Sequence, residues 1–226
     1  MPKVSFLVVG AQKSGTTTLH HHLAQQPDLY LPGCKEVHFF DGDSRDWSSP
    51  DYRAYEAFLT AAASTQICGE ATPAYMVHRR FLERIRAYNP QMRLIAVLRH
   101  PVERAWSNWR MLVTQGAETL PFAQAIRDRR NRIAKNWRAY SYVERGFYAD
   151  QIANILDLFP AGNCHFLLTE DLARDPTAAI GGTCALLDCP SPRLPVQPKV
   201  VKLLESRNLG PLSPNEFGLN KAVRRP

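Results

Sequence analysis

Residues 9–17 read V-G-A-Q-K-S-G-T-T, and the fold turns on how they are read. The apolar run V-S-F-L-V-V of residues 4–9 leads in with the look of a buried strand. A helical stretch from Thr16 to Gln26, stopped by Pro27, leads out. A strand, a glycine-bearing turn and a helix start make an anion site, because backbone N–H groups of the loop point at the ligand and the helix dipole favours negative charge. The nucleoside-triphosphatase form of this loop is G-x-x-x-x-G-K-[ST]. Gly10 and Gly15 keep that spacing and Thr17 stands at the Ser/Thr position. The lysine position holds Thr16, and the lysine lies inside the loop at Lys13. In triphosphatases the lysine after the second glycine reaches the β/γ-phosphates. A lysine at 13 suits a shorter, diphosphate-like group, cradled by the backbone of Gln12, Lys13, Ser14 and Gly15, with Thr16 and Thr17 adding hydroxyls.

Outward from the loop, short apolar runs recur at 66–70, 92–98 and 163–168. Helical patterns lie between and around them at about 51–63, 78–88, 101–115, 120–135 and 146–159. Strands alternating with helices predict a P-loop-type α/β three-layer sandwich, a central parallel sheet with helices on both faces. A single domain over residues 1–226 is expected. From about Val196 the chain is rich in Pro, Lys and Arg with weak periodicity, which fits a mobile loop.

The run M-R-L-I-A-V-L at 92–98 ends in Arg99, where a Walker B strand would end in an acid. His100-Pro101 then opens a helix, with Pro at a tolerated first-turn position. Ser107 lies on that helix, about two turns beyond Arg99. A guanidinium at a strand end and a helix hydroxyl together grip a phosphate. In an open α/β sheet ligands sit at the carboxyl ends of the strands, so this second anchor shares a crevice with the loop. The site is built for an anhydride without a γ-phosphate, and no metal is expected.

The net charge of +7 agrees with an anionic ligand. Its residues are scattered, R-D-R-R-N-R at 127–132 being the densest internal spot, and no zinc-finger or RNP-like motif accompanies them. Nucleic-acid binding is not expected. No run of 18 uncharged apolar residues occurs, so no stable membrane insertion is expected. A signal peptide is not expected either. The five cysteines, at 34, 68, 164, 184 and 189, are irregularly spaced, which suits a reducing, cytoplasmic setting. His20, His21 and His22 are successive residues of one helix, pointing about 100° apart, and cannot converge on one ion.

Taken together, the motifs resemble the PAPS-dependent sulfotransferases, above all the group of heparan sulfate sulfotransferases and their bacterial relatives (PAPS is 3′-phosphoadenosine 5′-phosphosulfate; PAP is the product without the sulfuryl group). F-L-V-V-G-A-Q-K-S-G-T-T-T-L resembles that family's 5′-phosphosulfate loop. L-R-H-P-V-E-R-A-W-S resembles its 3′-phosphate motif, with Arg99 and Ser107 at the matching positions. K-E-V-H-F-F-D at 35–41 is similar to the segment carrying the proposed catalytic base. G-E-A-T-P-A-Y at 69–75 and R-G-F-Y-A-D-Q-I at 145–152 also match family segments. The resemblance covers roughly residues 4–176. It implies that Lys13 contacts the 5′-phosphosulfate, that Glu36 is the base, and that His38, Asp41, Pro73 and Tyr75 lie on the acceptor side. His38 is the other candidate base, as a histidine is in the cytosolic sulfotransferases. Two departures stand out. Heparan-type enzymes carry a lysine where this chain has Ala71, which weighs against a polyanionic glycan. Residues 197–226 offer no clear match to the family's basic C-terminal loop.

The expected activity is therefore sulfuryl transfer from PAPS to a hydroxyl of a small-molecule, lipid or glycan acceptor. One rival is a P-loop kinase of a nucleotide or metabolite. The other is a non-catalytic protein that binds PAP or a polyanion.

Overall fold

The computed structural model describes residues 2–190. The predicted first strand is β1 (Phe6–Gly10), with Phe6, Leu7, Val8 and Val9 wholly buried. Burial of each such side chain contributes on the order of 1.5–3 kcal/mol. The run is apolar throughout, not alternating, because both of its faces are covered. It sits at the centre of a parallel sheet ordered β2-β3-β1-β4-β5. The others are β2 (Leu29–Tyr30), β3 (Ile67–Ala71), β4 (Arg93–Leu98) and β5 (Cys164–Leu168).

The helices are α1 (Thr16–Leu23), α2 (Arg53–Glu56), α3 (Arg79–Tyr88), α4 (Pro101–Thr114), α5 (Phe122–Arg127), α6 (Arg129–Lys135), α7 (Trp137–Tyr140), α8 (Tyr148–Leu158), α9 (Thr169–Arg174) and α10 (Pro176–Leu186). Successive side chains of β1 point to opposite faces. Leu7 and Val9 pack with Leu82 and Ile85 of α3 and with Ile155 and Leu158 of α8. Phe6 and Val8 pack with Leu19 and Leu23 of α1, Leu172 of α9, and Ile180 and Cys184 of α10. Helices thus cover both faces, giving the three-layer P-loop-type α/β fold. A third cluster, around Trp109, Leu112, Ala125 and Tyr142, joins α4 to the segment carrying α5–α7.

The predicted strands and the helices at 78–88, 101–115 and 146–159 agree to within about three residues. The pattern at 51–63 yields only the short α2 and a 3₁₀ turn at Ala57–Leu59, and that at 120–135 breaks at Asp128 into α5 and α6. Elements β2, α7, α9 and α10 lie outside the predicted strands and helices. The stretch from about Val196 lies outside the described residues. No helix among the described residues is long and apolar enough to cross a membrane.

All five strands run parallel, so their carboxyl ends meet along one edge. β1 delivers Gly10–Gly15, β2 leads to 35–41, β3 to 70–75, β4 to Arg99 and β5 to Thr169. The segments singled out in the sequence therefore converge on the crevice that such a sheet offers a ligand.

Candidate active site

The loop after β1 is shaped by its glycines. A Cβ at Gly10 would lie 1.7 Å from Met76 Sδ, and Gly15 has φ +93°. Both positions require glycine. Lys13 also adopts a left-handed conformation, with φ +69°. The Ala11 N–H donates to the Val97 carbonyl at 2.8 Å, binding the loop's start to β4. α1 has no side-chain cap and no acid in its first turn, so its positive end is not neutralised from within. Ser14 is buried, and its Oγ has no hydrogen-bond partner among the described residues. Thr16 is buried and Thr17 exposed at the opening of the helix. The Lys13 amine is half-buried and held below its usual pKa, first by burial and then by the positive charges of Arg99, Lys35 and Arg110, with Glu36 acting in the opposite sense. These charges share one crevice, and the lysine lies within reach of the field of Glu36.

Arg99 leaves the end of β4. Its Nε and Nη2 donate to Glu103 Oε2 at 3.2 and 3.1 Å. Tyr148 Oη donates to its carbonyl at 3.0 Å. Glu103, Ser107 and Arg110 follow at helical spacing on one face of α4, with Ser107 buried. The Arg99–Glu103 pair is largely exposed on its acidic side. Such a pair is weak, and a phosphate can displace it.

Across from the loop stands the segment after β2. Glu36 and His38 have φ +63° and +54°. With Lys13 they make three left-handed non-glycine residues at one site, a form of strain that clusters where side chains must be aimed. The Glu36 N–H donates to the Ala71 carbonyl at 3.0 Å and the His38 N–H to Thr72 Oγ1 at 3.5 Å, so the end of β3 holds the segment. His38 stands between two carboxylates: its Nδ1 is 2.8 Å from Asp41 Oδ2 and its Nε2 3.6 Å from Glu36 Oε2. Lys35 Nζ donates to Glu36 Oε1 at 3.0 Å. The bonds to Asp41 and Glu36 push His38 up to about 9. The hydrogen bond from His38 and the charge of Lys35 hold Glu36 down at about 2 against the opposing effect of burial. For Asp41, burial favours the neutral acid, but bonds from His38 and Arg138 together outweigh it and lower its pKa. At neutral pH the triad is carboxylate, imidazolium, carboxylate.

A cavity of about 360 Å³ opens beside it, lined by Gln12, Glu36, His38, Pro73, Arg138 and Arg145. Of the residues expected at the site, Lys13, Glu36, His38 and Arg99 share the crevice. Asp41 is wholly buried behind His38. Tyr75 is fully buried, with its hydroxyl accepting from the Phe39 N–H at 3.0 Å, so its ring packs in the core. Arg138 and Arg145 are additions. Arg138 binds the Asp41 carboxylate and, at 2.6 Å, its carbonyl. Arg145 is buried and donates to Gln12 Oε1 at 2.6 Å, Ser141 Oγ at 2.8 Å and the Arg138 carbonyl at 3.1 Å. Arg145 opens the R-G-F-Y-A-D-Q-I segment, which was the available signal. Arg138 had none. Of the three successive histidines, His21 Nε2 lies 2.7 Å from Gln25 Nε2 and His22 is buried. Among the described residues no three His, Cys, Asp or Glu side chains are grouped to hold a metal ion.

Known proteins share this fold. A family model described as the sulfotransferase domain matches residues 3–215. Heparan sulfate glucosamine 3-O-sulfotransferase 6 of Homo sapiens is 33% identical over 178 residues, which cover 77% of this chain and 49% of that protein. The chain spans about half the length of the curated relatives it matches. The crystal structure of a sulfotransferase from Alicyclobacillus acidocaldarius superposes with a TM-score of 0.80 at 29% identity, covering 86% of this chain and 85% of that one. A mouse sulfotransferase solved with PAP shares the fold, with a TM-score of 0.55 at 15% identity over 83% of this chain and 58% of that one. With the family model matching nearly the whole chain, and with a fold and a loop of this kind, the chain belongs to the sulfotransferase domain family.

Proposed function

We propose that this chain transfers a sulfuryl group from PAPS to an acceptor hydroxyl, with Lys13 on the donor side and Glu36 as the base. The observation that carries this reading is the placement of the two: a half-buried lysine in the loop after β1, within the electrostatic reach of an ionised glutamate on the segment after β2. The residues suit PAPS. Lys13, the loop N–H groups and the unpartnered Ser14 hydroxyl would hold the 5′-phosphosulfate. Arg99 and Ser107 would hold the 3′-phosphate. When bound, PAPS supplies the sulfuryl group. A bond forms from the acceptor oxygen to sulfur while the bond from sulfur to the bridging oxygen breaks, and the electron pair stays on the phosphate of PAP. Lys13, half-buried, would neutralise that charge in a partly desolvated setting.

Glu36 takes the proton of the acceptor hydroxyl. A carboxylate with a pKa of about 2 is a weak base toward a free alcohol, but the alcohol oxygen becomes strongly acidic as its bond to sulfur forms. The proton therefore passes late. His38 carries its own proton and cannot take another; its task is to hold Glu36. Arg138 and Arg145 line the cavity beside Glu36, and Arg145 bonds to no carboxylate among the described residues. An acceptor with an acidic group near its hydroxyl would complement them.

The test is a panel of hydroxyl compounds, with and without acidic groups, incubated with PAPS labelled in its sulfur. Label should enter an acceptor, and transfer should persist in EDTA, because the loop lacks the lysine after Gly15 and β4 delivers Arg99 in place of an acid. Transfer of phosphate from ATP that needs Mg²⁺ would instead support a kinase. Binding of PAP with no transfer to any acceptor would support a binding protein.

A further inference from the structure

Two grips on one nucleotide work together only if the distance between them is fixed, and the structure contains a residue placed to fix it. Thr169, the first residue of α9, follows β5 directly. The register of β4 and β5 pairs Leu98 with Leu168, so Arg99 and Thr169 emerge side by side. Thr169 Oγ1 lies 2.7 Å from the Ser14 carbonyl and 3.0 Å from the Leu98 carbonyl. Ser14 belongs to the loop after β1, and Leu98 is the residue before Arg99. One hydroxyl thus spans the backbones that carry the two anchors.

We propose that Thr169 is a positioning residue that sets the separation of the loop grip (Lys13, Ser14) from the Arg99 grip. This inference rests on the reading of the crevice as a site for a nucleotide with phosphates at both ends. A ligand held at two points gains from a fixed spacing, because its second contact forms at high effective concentration. A ligand with one phosphate engages one grip and gains nothing. Thr169→Val keeps the shape but removes the donor.

Calorimetric titration tests this with PAP and adenosine 5′-phosphate against wild type, Thr169→Val and Thr169→Ser. For Thr169→Val, PAP affinity should fall by about tenfold while that of adenosine 5′-phosphate changes by less than about threefold; Thr169→Ser, which keeps the hydroxyl, should bind PAP within about threefold of wild type. Equal losses for both ligands would reduce Thr169 to general support of the fold and overturn the inference. So would a Thr169→Val protein that binds PAP like wild type, or a Thr169→Ser protein that binds it no better than Thr169→Val. A wild type that binds neither ligand would overturn the nucleotide reading itself, a failure distinct from these and visible without any variant.

Discussion

Glu36 and His38 are two positions apart and carry opposite charges, and in the proposed mechanism that difference separates base from support. Glu36→Gln keeps size and shape but accepts no proton. Its transfer rate should drop by roughly 10²–10⁴-fold with PAPS affinity little changed, as single-turnover kinetics and a PAP titration would show. The loss should appear in kcat as well as kcat/KM, since the interaction strengthens in the transition state. His38→Gln should lose less. If instead His38→Gln abolishes transfer while Glu36→Gln loses under about tenfold, His38 is the base. The pH profile adds a second check. The folded His38 titrates at about 9, above its usual 6.5, so its ion pairs are complete below about 6.5 and fade as pH rises through about 9. A neutral imidazole turns a lone pair toward one of its two carboxylates, and Glu36 loses its orientation. The alkaline limb of kcat/KM should fall near pH 9 in wild type and be absent in His38→Gln. A wild-type profile flat through pH 10 would remove His38 from that role.

The end of β3 shows how an element supports chemistry it does not perform. Glu70 is wholly buried, and burial raises its carboxyl to about 7 despite donors from Thr72, Tyr75 and Tyr55. Thr72, bonded to Glu70 at 2.8 Å, also receives the His38 N–H. The folded state holds the Glu70 proton more tightly than the unfolded chain does. Its contribution to stability is therefore complete below about 4.5 and is lost as pH rises toward about 7. Glu70→Gln should flatten Tm between pH 5 and 7 relative to wild type, a scan that either shows the reduced slope or rejects the ionisation. The sequence shows the elements unevenly. The strands, and helices such as α3 and α4, were legible because an apolar run or a one-sided stripe marks them. α9 and α10 were not: α9 is only six residues long, and α10, P-T-A-A-I-G-G-T-C-A-L, is apolar on all sides and interrupted by Gly181 and Gly182. Its start was nonetheless written in Asp175-Pro176, where the Asp175 side chain caps the Ala178 N–H. β2 has two residues, too few to carry a period. The loop after β1 and Arg99 at the end of β4 were legible because each belongs to a local motif. The Arg138–Asp41 and Arg145–Gln12 bonds join residues 97 and 133 positions apart, and only the folded chain brings them together.

Across the whole molecule, a parallel sheet gathers one loop from each of five strands, and Lys13, Arg99, Lys35 and Arg110 concentrate part of the chain's +7 charge in the resulting crevice. The crevice should therefore select a doubly anchored anion over a singly anchored one. In the proposed reading Lys13 and Arg99 divide the work, so removing one should weaken one end of the ligand and spare the other. The measurement that tests this most directly is titration of PAP and of adenosine 5′-phosphosulfate, which lacks the 3′-phosphate, into wild type and Arg99→Ala. Wild type should bind PAP. Arg99→Ala should lose about 2 kcal/mol, roughly thirtyfold, for PAP, while its affinity for adenosine 5′-phosphosulfate stays within about threefold of wild type. Equal losses for the two ligands, or a wild type that fails to bind PAP at millimolar concentration, would contradict a crevice with separate grips for the two ends of PAPS.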